Sequence, residues 1–224
     1  MPVMIILLLL LFCITDPGFV SANELPIKDV LKKQEGVSCL SRDEAELLQS
    51  LNELRVINGL KPVDNSSSLN RVARTHAIDL HYSVPNLGKD RRGIDCNLHS
   101  WSGMGFWTPV CYTGDHQYAQ LMWKKPKEIT KNAYSDAGYE NVYWTSTDDV
   151  SIYRVIAGWK KSPQHREILL ETGKWENSDW KAIGVGIYKN VAVMWVGAMP
   201  DRLGPMPTCD AENNNRQQPA QKTP

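Results

Sequence analysis

The sequence has 224 residues, with 25 Lys and Arg against 25 Asp and Glu, so its formal net charge is zero. That balance excludes nucleic acid and anionic membrane surfaces as charge-driven partners. Five cysteines are present without a C-x-x-C pair, which argues against zinc held through cysteine.

The first element is an apolar run of 12 residues, Val3–Ile14, followed by the small residues Val20-Ser21-Ala22. The run is the length of a signal h-region and short for a membrane span, so residues 1–22 read as a removable export signal. No Lys or Arg precedes the run, and Phe12 stands where a lipoprotein signal ending at Cys13 needs a small residue. The mature chain is expected to start near Asn23, leaving 202 residues with 25 basic and 24 acidic groups, enough for one domain. It keeps Cys39, Cys96, Cys111 and Cys209, for which three pairings exist. The preferred set is Cys96–Cys111, closing a local loop, with Cys39–Cys209 pinning the two ends.

Residues 23–40 are polar and read as a loosely held lead-in to a domain spanning 41–209. Ser41-Arg42-Asp43-Glu44 is a capping box, and Leu47, Leu48, Leu51 and Leu54 follow at helical spacing up to Asn58-Gly59. A second helix places Leu69, Val72, Ala73, His76, Ala77 and Leu80 on one face, where His76 reads as a core-edge histidine. Asn65-Ser66-Ser67 between these helices is an N-glycosylation acceptor, of consequence only in a eukaryotic source. Residues 83–114 read as a long disulfide-clipped loop region, a feature usually tied to function. Asp115 is expected to cap a short helix through Leu121 and Trp123 that ends at Pro126. Ile152, Val155, Ile156 and Trp159 define another helix, and Ser162-Pro163 starts the next with Ser162 as N-cap. Ile183, Val185 and Ile187, then Val191, Val193 and Trp195, alternate as a hairpin with one buried face. Residues 210–224 are polar and rich in Asn, Gln and Pro, and read as a disordered tail.

Four stretches carry the chemistry: Cys96-Asn97-Leu98-His99-Ser100-Trp101, Gly138-Tyr139-Glu140-Asn141-Val142, Trp159 to Leu169 with Ser162-Pro163-Gln164-His165-Arg166, and Ile183-Gly184-Val185-Gly186. In this order they resemble the CAP superfamily of cysteine-rich secretory, antigen 5 and pathogenesis-related proteins, and most closely its bacterial SCP-type branch. The resemblance runs from about Ser41 to Met199. It implies an α+β fold, a three-layer α-β-α sandwich with a central antiparallel sheet, and a cleft faced by His99, Glu140 and His165. Tyr139 is inserted between Gly138 and Glu140 relative to the family pattern. Where the family usually carries a second glutamate, this chain has Arg154 beside Tyr153. An arginine there could pair with Glu140, whereas a register slip would bring in Asp148 or Asp149.

Several functions fit these residues. His99, His165 and Glu140 could hold Zn²⁺ or Cu²⁺ weakly, or form a hydrogen-bonded polar cluster that braces the cleft walls. A hydrolase would use the same three residues with Ser100 or Ser102 as nucleophile, yet no G-x-S-x-G or H-E-x-x-H element occurs. His165-Arg166-Glu167 matches one half of a zinc-deaminase signature whose P-C-x-x-C half is missing. Trp101, Trp107, Trp123 and Trp144 cluster around the loop region and could line a cleft for sugars or lipids, while Trp159 and Trp195 read as core. The leading expectation is a secreted, monomeric binding module for a lipid, sterol or other extracellular ligand. Ser100, Arg154 and Trp101 are its cleft neighbours, no cofactor is required, and Zn²⁺ is the ion its residues would take. The alternatives are a secreted protease-like hydrolase using His99, His165 and Glu140, and an immune-facing or wall-associated structural protein. Export points to an extracellular location, or a periplasmic one in a Gram-negative source.

Overall fold

The computed structural model describes residues 26–209, so the export signal at 1–22 and the polar tail at 210–224 lie outside the described residues. Seven helices are described: α1 Ile27–Glu35, α2 Arg42–Ile57, α3 Ser67–Ser83, α4 Ala119–Trp123, α5 Lys125–Ile129, α6 Ile152–Lys161 and α7 Pro163–Leu170. Three strands, β1 Tyr139–Trp144, β2 Ala182–Tyr188 and β3 Val191–Gly197, form an antiparallel sheet in the order β1-β3-β2. A single 3-10 turn covers Gly173–Trp175.

The three layers follow from the alternation of side chains along β3. Val191, Val193 and Trp195 join one core with Leu69, Val72, Ala73 and Ala77 of α3. Ala192, Met194 and Val196 join another with Leu47 and Leu51 of α2, Val155 and Trp159 of α6, and Leu169 of α7. Successive residues of a strand point to opposite faces, so a strand covered on both sides reads apolar throughout. The hairpin was expected to bury one face; every residue of β3 is buried. The alternation of Gly184 and Gly186 with Ile183 and Val185 reflects close helix packing, not solvent exposure. A Cβ on Gly184 would stand 2.2 Å from the backbone of Leu69, and one on Gly186 2.2 Å from Arg74 N. The glycines let α3 lie directly against β2, and Asn70 of α3 accepts from Val185 N at 2.7 Å.

At the start of α2, Ser41 accepts from Glu44 N while the Glu44 carboxylate accepts from Ser41 N, a complete capping box. The Glu44 carboxylate also takes a 2.7 Å bond from Arg74 Nε, tying α2 to α3 in a buried pair. Both expected disulfides are present, Cys39–Cys209 and Cys96–Cys111. The first reinforces a parallel bridge between Leu40 and Thr208, so the two ends of the domain are joined by backbone and by sulfur.

Four local expectations are corrected. The lead-in contains α1, whose Val30 and Leu31 are buried against the α3 core. Pro126 does not end a helix; it sits in the first turn of α5, where its missing N–H costs nothing. Asp115 is not the cap of α4, whose N-cap is Tyr118; its carboxylate pairs with Arg92 instead. Asn65 of the glycosylation acceptor donates to Met206 O at 2.7 Å and accepts from Asn70, so its amide is committed to the fold.

Candidate functional site

Beside β1, one of the two edge strands, lies a cavity of about 260 Å³ between the stapled loop region and α4 on one side and α7 with the 3-10 turn on the other. His99, Glu140 and His165 all line it. Each arrives through a separate local device. His99 sits in a tight turn in which its own N–H donates to Asn97 Oδ1 at 3.0 Å and Ser100 N donates to Asn97 O. The disulfide from Cys96 to Cys111 clips that turn to the next segment. Glu140 shares a face of β1 with Val142, toward α3, while Asn141 turns to the opposite face and donates to His165 O at 3.0 Å. The Glu-Asn pair therefore holds two walls at once. Gly138, just before it, has no room for a side chain: a Cβ would lie 2.6 Å from Pro126 and 2.8 Å from Trp195.

The centre of the site is a histidine–carboxylate–histidine chain. Glu140 is fully buried; one oxygen accepts from His76 Nδ1 at 2.5 Å and the other from His99 Nδ1 at 2.8 Å. His76 Nε2 lies 2.9 Å from Ser100 O. A carbonyl can only accept, so Nε2 carries a hydrogen, and the carboxylate on the other side calls for one on Nδ1. His76 is therefore an imidazolium. Burial works against its charge, but contact with Glu140 outweighs burial and holds its pKa above the ordinary histidine value. Burial alone would likewise raise Glu140; His76 and then His99 overcome it and keep the carboxyl below its usual range. His76 also stacks on Trp101, with ring centroids 4.2 Å apart and planes 6° from parallel. The residue read as a core-edge histidine is the buried counter-ion of the site.

His165 stands in the first turn of α7, its ring centroid 6.3 Å from that of His99. Burial, and then the proximity of His99, push its pKa down to about 4, so it is neutral at pH 7. Tyr112 lies between His99 and His116, with its hydroxyl 2.7 Å from His116 Nδ1. Among the described residues no group of three or more His, Cys, Asp or Glu is placed to hold a metal ion. Glu140 has both oxygens occupied by imidazoles, which makes it the orienting partner of His99.

Other expected neighbours fall elsewhere. Arg154 is exposed on α6, because Val155 and Trp159 take the buried face of that helix, and it does not reach Glu140. Asp148 and Asp149 are exposed in the loop after β1. Ser100 is buried behind the cavity, its hydroxyl accepting from Tyr112 N at 2.9 Å. Ser102 donates to Asp79 of α3. Neither hydroxyl meets an imidazole. Trp101 is buried under His76, and Trp107 donates its indole N–H to Ser102 O; neither lines the cavity. Trp144 lies at the exposed end of β1, away from it.

The aromatic wall that does exist was only partly legible. Trp123 is joined by Tyr139 and Trp175, with centroids 5.5 Å and 4.5 Å apart along the chain Trp123–Tyr139–Trp175. Met122 and Ile168 complete the apolar side, and Gln164 and Lys174 stand at the lining. Trp175 and Lys174 belong to no motif; the left-handed Glu171 and Gly173, which reverse the chain after α7, bring them over the cavity.

No helix among the described residues is long and apolar enough to cross a membrane. A comparison with curated proteins finds no match. Among solved structures, the chain is similar to a cysteine-rich secretory protein of Staphylococcus aureus at 20% identity and TM-score 0.40, covering 69% of this chain and 38% of that one. An outer surface protein of Borrelia burgdorferi matches at 21% identity and TM-score 0.42, over 71% of this chain and 93% of the other. An extracellular protein of Bacillus anthracis containing an SCP domain matches at 17% identity and TM-score 0.43, over 79% and 44%. The chain thus spans less than half the length of the first and third of these. The sequence model of the CAP family, the cysteine-rich secretory protein family, matches residues 48–197, and with two thirds of its length inside that match this chain belongs to the CAP family.

Proposed function

We propose that this protein is an exported CAP-domain binding module whose cleft accepts a small amphipathic extracellular ligand. The observation that carries the reading is the two-sided cavity. One wall is apolar and aromatic, and the other is a hydrogen-bonded histidine–carboxylate set held in one geometry. Small-ligand sites combine these features, an apolar bulk with a few fixed polar groups. A volume of about 260 Å³ is near the lower end for such sites and equals roughly nine water volumes. It suits a ring with a short substituent. The two disulfides support export, because such bonds persist in oxidising compartments.

The test sets binding against hydrolysis. Purified protein is incubated with a peptide library and, separately, titrated with small aromatic ligands while the intrinsic tryptophan fluorescence is followed. Saturable quenching without cleavage is expected. Robust cleavage that disappears in His99→Ala or His165→Ala would overturn the binding reading.

A second reading, weak binding of a divalent metal, is favoured by one observation: Glu140 occupies His99 Nδ1 and leaves Nε2 as the nitrogen available to a ligand. His99 and His165 would hold the ion. Two imidazoles fit a weak site and fall short of the three or four ligands of a tight one. Bound Zn²⁺ would offer open coordination positions to an oxygen of the ligand. Titration with Zn²⁺ should then raise Tm in the wild type and leave His165→Ala unchanged, and an unchanged wild type at millimolar zinc would rule the site out.

A further inference from the structure

We propose that the cleft selects an anionic ligand, a small carboxylate bearing one apolar ring or short chain, and that Lys174 reads its charge. The inference rests on the binding reading above and adds the sign of the ligand to it.

The ionisable groups around the cavity set the sign of the ligand it can take. Its one lining carboxylate is Glu140, fully buried, with each oxygen engaged by an imidazole and its charge balanced by His76 behind it. A ligand cation would find no free carboxylate among the lining residues. The remaining ionisable groups of the lining are His99, His116, His165, Tyr112, Tyr139 and Lys174, of which the lysine and the three imidazoles can add only positive charge. Tyr112 and Tyr139 are held neutral, since burial raises the pKa of both, seconded by Glu140 for the first and by Asp136 for the second. With His76 balancing Glu140, the charge carried by the lining groups is therefore positive or zero.

Geometry gives the cation its place. Gly173 has φ +58, and a Cβ there would lie 2.9 Å from the Glu167 carboxyl carbon, so the chain turns sharply between α7 and the 3-10 turn. That turn sets Lys174 at the cavity with its Nζ 5.2 Å from the Trp175 ring centroid. The ammonium and the aromatic wall are thus neighbours, spaced for a molecule whose carboxylate and ring lie a few atoms apart.

The test uses three probes of matched shape: hydrocinnamate, its neutral amide, and phenylpropylamine. Each is titrated into the wild type and into Lys174→Met, which keeps the stem and removes the charge. Binding is read from the tryptophan indole N–H resonances. Hydrocinnamate is expected to bind about two- to fivefold more tightly than the amide, the range for an ion pair at an exposed lysine, with the amine weakest. Lys174→Met should bring hydrocinnamate to the level of the amide, and raising the salt concentration should do the same in the wild type. An amide or amine that binds as well as hydrocinnamate, or a preference that survives Lys174→Met, overturns the anion proposal and leaves the binding module standing. Failure of all three probes to bind overturns the binding reading itself.

Discussion

Replacing His76 by Phe tests the account of the buried site most directly. Phenylalanine keeps the volume and the stacking on Trp101, so the change removes the charge and the two hydrogen bonds and little else. Glu140, fully buried, loses the imidazolium that balances it and keeps only the bond from His99. Breaking a buried ion pair by deleting one partner costs about 3–5 kcal/mol, most of it the penalty of the charge left behind. For a domain of this size each kcal/mol is about 2–4 °C, so Tm should fall by about 6–20 °C at pH 7. The sign with pH is part of the test. In the wild type, Glu140 has a lowered pKa and contributes stability that is lost as pH falls through its folded value. His76 has a raised pKa and contributes stability that is lost as pH rises through its own. In the variant, burial is opposed only by the bond from His99 and lifts the Glu140 pKa, so the deficit should shrink as pH falls from 8 to about 5 and the carboxyl protonates. Thermal unfolding followed by circular dichroism across that range measures it. A fall of under about 3 °C, or a deficit that does not change with pH, would refute the imidazolium–carboxylate pair.

Other perturbations have separable outcomes. Loss of Cys39–Cys209, which closes a separation of 170 residues, should cost about 5 kcal/mol on chain-entropy grounds, against about 3 for Cys96–Cys111 with its separation of 15; denaturant melts of the two double Cys→Ser variants compare them. Gly184→Ala or Gly186→Ala drives a methyl into the α3 backbone and should destabilise by about 1–3 kcal/mol or more, whereas Gly114→Ala, with open space around it, should be near neutral in the same melts. His165, with a folded pKa of about 4 against 6.5 for an ordinary histidine, takes up its proton later than the unfolded chain does. Stability should therefore decline as pH falls from about 6.5 toward 4, and His165→Asn should flatten that decline in a pH series of melting curves.

The resemblance of four short stretches in the sequence was enough to place this chain in its family, and the reason is visible in what those stretches do. The Gly-Val-Gly of β2 is there because α3 lies on it, and the Glu-Asn of β1 because one residue faces α3 and the next faces α7. Such residues are constrained by contacts that only this arrangement makes, so their order along the chain carries the fold. The capping box of α2 and the pairing of the cysteines were equally legible, one from a local hydrogen-bond pattern and the other from sequence separation. Helix α1 was not, because two buried residues, Val30 and Leu31, among charged neighbours give a weak periodic signal.

What the sequence by itself determined is that His99, Glu140 and His165 belong to one fold of known type, with two disulfides and a cleft. What only the tertiary structure decided is the electrical state of that cleft. His76 and Glu140 are 64 residues apart, and Arg154, close to the third motif in sequence, points into solvent. Helical phase and strand alternation, acting across the layers, put a buried imidazolium behind the glutamate and left Lys174 as the lysine of the cavity lining. A pKa depends on what surrounds a group in three dimensions, and that is the one property of these residues that their order along the chain does not hold.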